Sequence, residues 1–270
     1  MFNLAYLYLL SPLHTGGTTQ EGNLLGIARE SHTELPYIPS STIRGRLRAS
    51  TPPKDRNRLW GNTIEDVMGG ENTNLTQGQV WVGDGSLLWV PVPSLSHGVI
   101  WISCPMLLHR WQRLTGQSSG TVAAYSTSLD TSKPVYLKDA ILKGDQLKPW
   151  EEWQKWIPIR EQTQILQKVL VLPDQHCKTL IETSLWRQVK VKLDQHKTVE
   201  GGFRYEEAIP PDTLMYFPWG TVAQLNGAAE KVKSDLRDVF DSHPILQIGG
   251  QESLGRGFVQ LVPWEVNYGL

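Results

Sequence analysis

The sequence predicts an α+β fold of ferredoxin-like type, because β-type runs alternate with a few helical segments and the chain begins and ends on strands. The chain has 270 residues, enough for one large or two small domains with an apolar core. No repeat of fixed period and no clean linker divides it. We therefore expect a single domain over residues 1–270, with insertions.

The N-terminal half is predicted to hold strands and one short helix. Residues 2–10 are a β-rich run ended by Ser11-Pro12 and the turn residues Gly16-Gly17, and a polar stretch follows at 18–40. Ser40, Ser41 and Thr42 offer N-cap groups for a helix over 43–48. The breaker Pro52-Pro53 comes next, and further β-type runs lie at 79–81, 86–92 and 98–103.

The C-terminal half opens with residues 116–132, which are rich in Gly, Ser and Thr and are expected to be a loop or mobile insertion. Periodicity predicts the later elements. They are the helically spaced Trp150, Trp153 and Ile157, a strand at 169–172, a helix from 173 with the face Cys177, Leu180 and Ile181, a strand at 187–193 with Val189, Val191 and Leu193 on one side, a β run around Phe203 and Tyr205, an amphipathic helix at 228–241 and a last strand at 258–262.

Composition narrows the possible functions. A formal net charge of −1 means that any nucleic-acid surface must be a local patch. Cys104 and Cys177 are too few for a disulfide framework and form no C-x-x-C motif. The apolar stretches are too short to cross a membrane, and the N-terminus has no basic region or cleavage site. We therefore expect a cytoplasmic protein without membrane contact.

A glycine-rich loop lies near the C-terminus, between two short β-type runs. It contains Gly249, Gly250, Gly255 and Gly257, with Arg256 between the last two. Glycine lets backbone N–H groups approach a phosphate closely, and arginine offers a planar fork of donors to phosphate oxygens. The alternative is an ordinary hairpin turn, since the loop lacks the P-loop ending and the dinucleotide-binding context.

A second candidate is a run of cations on the predicted helix at 43–48. Arg44, Arg46 and Arg48 lie there, and Arg44 and Arg48 are four residues apart, on one helix face. They form either a phosphate-binding patch or a solvated helix face.

A third candidate is a basic hairpin. Lys190 and Lys192 alternate with apolar residues, and His196 and Lys197 occupy the following turn. Such an arm could lie along a nucleic-acid backbone, or it could be an ordinary solvated hairpin. The sequence contains no H-E-x-x-H, no G-x-S-x-G and no convincing pair of carboxylates, so no active site follows from motifs alone.

Several segments share their pattern with one known family. SPLHTGG at 11–17 and IARESHTELPYIPSSTIRGRLR at 27–48 resemble the N-terminal signature of the CRISPR RAMP proteins. VLPD at 171–174, YEEAIPPDTL at 205–214 and QIGGQESLGRGFV at 247–259 continue the resemblance over nearly the whole chain. Within that superfamily the chain is most similar to the backbone subunit of the type III-B (Cmr) effector complex.

This resemblance implies a ferredoxin-like (RRM-like) palm with insertions and a β-hairpin thumb over about 187–205. Several copies would stack along a guide RNA, which the arginines of 44–48 and the glycine loop would hold, and the thumb would press into the guide–target RNA duplex. The implied partners are guide RNA (crRNA), target RNA, further copies of the chain and other subunits of the complex. The single-stranded guide RNA would be held mainly through phosphates and shape, with its bases left free to pair with a target.

The resemblance also implies target-RNA cleavage, by an aspartate in the loop after the first strand and a divalent metal such as Mg²⁺. That aspartate is expected five residues before the Arg29-Glu30 pair, where this chain has Leu24. Leucine neither binds a metal nor accepts a proton. Glu21 is the nearby carboxylate, and His14 matches a family histidine near the cleavage site. A guide-binding scaffold without a required cofactor is therefore expected, with an active metal-dependent endoribonuclease and a standalone RAMP nuclease processing CRISPR transcripts as the alternatives.

Overall fold

The structure is a computed structural model that describes residues 3–21, 24–68, 74–116, 120–222 and 228–264. The strands are β1 (Asn3–Leu9), β2 (Gly16–Glu21), β3 (Leu24–Ile27), β4 (Val80–Val82), β5 (Ser86–Ser94), β6 (Gly98–Ser103), β7 (Ser126–Thr127), β8 (Val135–Tyr136), β9 (Ile141–Leu142), β10 (Lys148–Pro149), β11 (Val169–Val171), β12 (Trp186–Leu193), β13 (Val199–Ala208), β14 (Leu214–Thr221), β15 (Ile245–Gln247) and β16 (Phe258–Trp264). The α-helices are α1 (Ser40–Ser50), α2 (Pro53–Trp60), α3 (Ile64–Met68), α4 (Pro105–Thr115), α5 (Asp174–Ser184) and α6 (Ala229–Ser242). Short 3₁₀ turns occur at Gly144–Gln146, Trp153–Trp156 and Glu252–Leu254.

One large mixed sheet organises the fold. Its strand order is β10-β7-β11-β6-β5-β14-β1-β16-β15, and β4 also pairs with β14. The first strand, β1, is antiparallel to both of its neighbours, β14 and β16, and each of its residues is buried. A strand covered on both faces reads as a continuous apolar run, as the N-terminal sequence does. The predicted α+β class is confirmed.

The two faces of this sheet carry two different cores. Side chains alternate along a strand, so Ala5, Leu7 and Leu9 point to one face, and Tyr6 and Tyr8 point to the other. The first face packs against α1, α2, α5 and α6. The second face is covered by α4 and by the segment from residue 153 to 167, and its core is rich in tryptophan.

The predicted elements at 79–81, 86–92, 98–103, 169–172, 187–193, 228–241 and 258–262 are confirmed, as is the helix that begins at 174. Among the helices that the described ranges contain, none is long and apolar enough to cross a membrane. The expectation of one domain with insertions stays a prediction.

Three local predictions were wrong. The helix α1 begins at Ser40, so Ser40 is inside the helix, and its N–H is capped by the carboxylate of Asp84 from the strand β4–β5 connection at 2.6 Å. Gly16-Gly17 is not a turn but opens β2, and part of the polar stretch 18–40 is the β2–β3 hairpin. Helical spacing at 150–157 yields only a 3₁₀ turn.

The expected loop at 116–132 contains a strand, and the helix before it was not predicted. Residues 117–119 lie outside the described ranges, while Ser126 and Thr127 form β7, buried between β10 and β11. Two-residue strands carry no readable alternation. The helix α4 begins at Pro105 directly after Cys104, so no polar N-cap residue marks its start in the sequence. Its cap comes from α5, where Oδ1 of Asp174 accepts from the N–H of Met106 at 3.0 Å.

A second sheet, with the order β12-β13-β3-β2, carries the predicted thumb. The strands β12 and β13 are antiparallel from the pair Trp186–Ala208 to the pair Leu193–Val199. Among the described residues, only the base of this hairpin joins another strand, where Tyr205 and Glu206 of β13 pair with Leu24 and Leu25 of β3. The outer part is therefore a two-stranded ribbon within the described structure, as expected for a protruding thumb.

Candidate nucleic-acid interface

The glycine loop packs tightly against the N-terminal loop that follows β1. Gly249 has φ +83°, and a Cβ there would lie 2.3 Å from the carbonyl oxygen of His14. Gly257 has φ +76°, and a Cβ there would lie 2.0 Å from the carbonyl oxygen of Ile248. These positions require glycine because side chains have no space and positive φ is disfavoured for them.

Two amides of the loop are already used inside the protein. The N–H of Gly250 donates to the carbonyl of His14 at 2.9 Å, and the N–H of Gly257 donates to the carbonyl of Pro12 at 2.9 Å. Gly255 differs, because it is exposed, has φ +72° and has open space around its Cβ position. The prediction that backbone N–H groups of this loop face a ligand therefore does not hold for Gly250 and Gly257.

Arg256 points into the protein, contrary to the expectation of a free fork. The residue is 4% exposed. Its Nη2 donates to Oε1 of Gln188 at 2.7 Å, its Nη1 lies 3.3 Å from Oε2 of Glu206, and its Cζ lies 4.2 Å from the centre of the Trp186 ring. All three partners belong to the thumb strands, so Arg256 connects the glycine loop to the base of the thumb.

His14 makes a second connection between the same two parts. The ring is buried, and its Nδ1 forms a 2.8 Å hydrogen bond with the backbone carbonyl of Glu207 in β13. Its own carbonyl accepts the Gly250 N–H, and a Cβ added at Gly250 would lie 3.6 Å from His14 Cδ2. A role of His14 in positioning RNA stays a prediction, since one ring nitrogen is already occupied.

Two segments of the family pattern, Arg29-Glu30 and YEE at 205–207, contribute to one ion-pair network. Arg29 donates to Glu207 at 2.9 Å and also to Glu182 of α5. Arg187 of β12 bonds the other oxygen of Glu207 at 2.9 Å, and Glu207 is 1% exposed. Buried carboxylates are tolerated when they are paired and hydrogen-bonded. The Arg-Glu and Tyr-Glu-Glu motifs thus have a structural reason, namely fixing β3 and the thumb base to α5.

Glu30 belongs to a neighbouring pair. Its carboxylate accepts from both terminal nitrogens of Arg110 in α4, at 2.5 and 3.2 Å, and from the hydroxyl of Thr33 at 2.6 Å. Burial alone would raise the pKa of Glu30, but the hydrogen bonds from Arg110 and Thr33 and the positive charge of Arg110 outweigh it and hold that pKa below its usual value.

The carboxylate of Glu206 is held in the same way. Burial opposes its ionisation, but the hydrogen bond and charge of Lys190, at 2.7 Å, and the charge of Arg256 leave its pKa lowered. Glu206 is therefore a buried anion that two cations share at the thumb base.

The thumb is less basic than its sequence suggests. Lys190 is paired with Glu206, and Lys192 is paired with Glu200 at 3.0 Å. His196 and Lys197 are exposed at the tip, in a turn that Asp194 closes by accepting from the backbone N–H groups of residues 196 and 198. Arg204 is exposed on the same hairpin. Contact of these cations with RNA stays a prediction.

One face of the thumb is apolar and open. The register pairs Val189 with Tyr205, Val191 with Phe203 and Leu193 with Val199, and each of the six side chains is at least 41% exposed. The rings of Phe203 and Tyr205 meet edge to face with centres 5.4 Å apart. The alternation identified the strand correctly, but its apolar side faces outward and not into a core.

Leu24 continues this apolar face. It is in parallel register with Tyr205, and parallel partners in register point to the same side of a sheet. Its side chain is half-buried. Glu21 ends β2 beside it, but the Glu21 side chain lies outside the described part of the structure.

Two arginines of α1, Arg44 and Arg48, hold this helix against α2 and α3. Arg44 donates to the carbonyl of Trp60, while Arg48 donates to Asn57 at 3.0 Å and is paired with Asp66 at 3.1 Å. In the described ranges, no hydrogen bond or ion pair connects Arg44, Arg46 or Arg48 to the glycine loop. Arg44 is exposed, and Arg46 and Arg48 are half-buried. That they share an RNA strand with the loop stays a prediction.

Sequence reasoning missed several partners of this interface. Glu182 and Arg110 lie 153 and 80 residues from Arg29 and Glu30, and neither stands in a recognisable motif. Trp186 and Gln188 open the alternating strand, where they look like ordinary strand residues. Trp186 and Gln188 are two residues apart and therefore point to the same side of β12, the side on which Glu206 lies. This alternation is the feature of the sequence that could have identified them.

Comparison with known proteins gives consistent results. The family model described as the RAMP superfamily matches residues 6–260. A relative named CRISPR system Cmr endoribonuclease Cmr4, from Pyrococcus furiosus, is 27% identical over 97% of this chain and 96% of its own length. The solved structure of oligomeric Cmr4 from Pyrococcus furiosus matches 98% of this chain and 99% of that chain, with a TM-score of 0.70 and 22% identity.

A further match is a chain of the type III-B Cmr-beta complex bound to cognate target RNA. It covers 97% of each chain, with a TM-score of 0.70 and 19% identity. At these identities the structural matches establish the common fold.

Proposed function

The chain belongs to the RAMP superfamily, and from that premise we propose that it is a guide-RNA-binding backbone subunit of a type III-B CRISPR ribonucleoprotein. Copies of it would stack along the guide, and each thumb would shape the guide–target duplex. The observation that carries the proposal is the direct connection between glycine loop, His14 and thumb base through Arg256 and Glu207. The match to the Cmr4 relative over nearly both full lengths supports it.

The surface is suited to RNA of any sequence. Exposed cations, among them Arg44, Lys197 and Arg204, are local features of a chain that is nearly neutral overall. Such cations contact phosphates and give affinity without reading bases. The open aromatic pair Phe203–Tyr205 offers an apolar contact for a base or a duplex end.

The chemistry near Leu24 argues for a scaffold that binds its target without cutting it. The Cmr4 relative is named an endoribonuclease, and metal-assisted cleavage would need oxygen or nitrogen ligands beside the RNA. Here Leu24 contributes a hydrocarbon side chain in line with Tyr205, and His14 has one ring nitrogen bonded to a carbonyl. No group of three metal-ligating side chains occurs among the residues that the structure describes. At the position where the resemblance expects an aspartate, Leu24 therefore offers no ligand for Mg²⁺.

Binding can be tested with the purified protein and guide RNAs of increasing length. We expect assemblies that grow with RNA length in size-exclusion chromatography with light scattering. A monomer on a single hairpin RNA would favour the standalone processing nuclease and contradict the proposal.

The phosphate contacts can be tested by salt dependence. For Arg44→Ala, the slope of log affinity against log salt should fall by up to roughly 0.7 per lost phosphate contact, for all sequences alike. Lys155→Ala is the control, because Lys155 is an exposed cation on the segment that covers the opposite face of the large sheet. A loss that depends on base composition would contradict phosphate binding.

Cleavage needs its own assay. The assembled complex should leave complementary RNA intact in the presence of Mg²⁺. Products at regular spacing that disappear in Glu21→Ala would instead establish the endoribonuclease alternative.

A further inference from the structure

We propose that Arg256 is a positioning residue, which joins the glycine loop to the base of the thumb and acts on RNA binding through the thumb and not by contact with a phosphate. The part that concerns RNA rests on the proposed function. The part that concerns the thumb rests on the contacts of the protein alone.

The outer thumb has little to hold it in place. Toward the tip of the thumb, residues 199–204 of β13 pair only with β12 in the described structure, and both strands are largely exposed there. An isolated two-stranded hairpin is marginally stable in water. The direction of the thumb must therefore be set at its base, where the sheet pairing and the side chains of β12 and β13 meet the body of the protein.

Arg256 makes contacts to both thumb strands at this base. Trp186 and Gln188 are on β12 and Glu206 is on β13, and one guanidinium touches all three. A planar fork that stacks on a ring while pairing at its edges fixes orientation as well as distance. Lysine could retain the charge but not this geometry.

The backbone of Arg256 is fixed as firmly as its side chain. Gly255 and Gly257 on either side have positive φ, and the Gln247 side chain donates to the carbonyl of Arg256 at 3.2 Å. His14 ties the same loop to Glu207, the residue after Glu206. The loop and the thumb base are therefore joined through both Arg256 and His14.

A phosphate role is disfavoured by the same contacts. The guanidinium is buried, and the negative charge nearest to it is Glu206 at 3.3 Å. A phosphate would have to displace this carboxylate and leave it buried with Lys190 as its remaining cation, which is costly.

The test uses hydrogen exchange of the full chain without RNA, followed by RNA binding. In Arg256→Met, exchange in β12 and β13 should be faster by roughly tenfold or more, while β1 keeps its protection. Adding Glu206→Gln to this variant should restore much of the protection, because it removes a buried negative charge that then has Lys190 as its one remaining cation. Lys192→Met is the matched control on the same hairpin, since its exposed pair with Glu200 should contribute little.

RNA binding separates positioning from contact. Arg256→Met should weaken RNA binding and leave the salt slope unchanged. The rate of hydrogen exchange in the thumb of Arg256→Lys should lie between the rates of Arg256→Met and of the unmodified protein. A slope lower by roughly 0.7 with normal thumb exchange would identify a phosphate ligand and overturn the inference. Equal loss of protection in β1 and in the thumb, in both Arg256 variants, would also overturn it. Absence of RNA binding by the unmodified protein would refute the proposed function, while the exchange result would still decide the role of Arg256 in the thumb.

Discussion

Replacing Glu207 by glutamine tests whether the buried network at the thumb base stabilises the fold. The substitution keeps the shape of the side chain and removes its charge. Glu207 is 1% exposed and accepts from Arg29 and Arg187, each at 2.9 Å. Removing one member of a fully buried ion pair costs about 3–5 kcal/mol.

The expected loss is smaller here, for reasons visible in the contacts. Arg29 keeps Glu182 as a partner, and Arg187 is half exposed and regains water. Glutamine still accepts one hydrogen bond. We therefore expect Glu207→Gln to lower the free energy of unfolding by about 2–3 kcal/mol.

Urea denaturation followed by circular dichroism measures this change. With an m-value of about 2–3 kcal/mol/M, the midpoint should fall by about 1 M. Glu200→Gln on the same strand is the control, because its pair with Lys192 is exposed and is expected to contribute about 0–1 kcal/mol. Equal shifts for the two variants would refute the reasoning, since burial would then make no difference.

Three further predictions follow from local geometry. Gly249→Ala should destabilise the protein far more than Gly255→Ala in thermal melts, because the first has 2.3 Å to the nearest backbone oxygen and the second has open space at a similar φ; equal melting shifts would contradict this. Asp84→Ala should cost about 1 kcal/mol by removing the cap of α1, and Asp84→Asn should recover part of it. Because the pKa of Glu30 in the folded protein lies below its ordinary 4.5, its contribution is present above that pH and is lost as the pH falls through the lowered value. Glu30→Gln should therefore be less stable at pH 7 and lose less stability on acidification than the unmodified protein, as acid titration of urea midpoints would measure.

The sequence predicted the elements whose pattern is long and regular. The helix α6 buries Val232, Leu236 and Phe240 on one side, and this spacing is readable without any partner. The β12 alternation was equally readable. What it could not reveal is which side faces a core, because period two is the same for a buried face and an exposed one. The face with Val189 and Val191 is an example, because the structure leaves it exposed to solvent.

Charged residues show the same limit at the site. The sequence contains six cations between Arg44 and Arg58, and their clustering left a phosphate-binding patch and a solvated helix face equally open. Their partners, such as Asp66 and Asp235, are brought in by tertiary folding and lie up to 177 residues away. Arg256 is the clearest example of a partner that the sequence does not show. An arginine between glycines predicts an exposed side chain, but tertiary folding places Glu206 and Trp186 around Arg256 and buries it.

The tryptophan-rich core covers the second face of the large sheet, so this face is not available for binding a polynucleotide. RNA-recognition folds of related shape stack two or three bases on aromatic residues across their open sheet. In this chain the tyrosines Tyr6, Tyr8 and Tyr216 of β1 and β14 are buried beneath α4 and the residues around Trp156. These rings are therefore closed to base stacking, and under the proposed function the contacts with RNA would fall on the loops and the thumb, outside this face of the sheet.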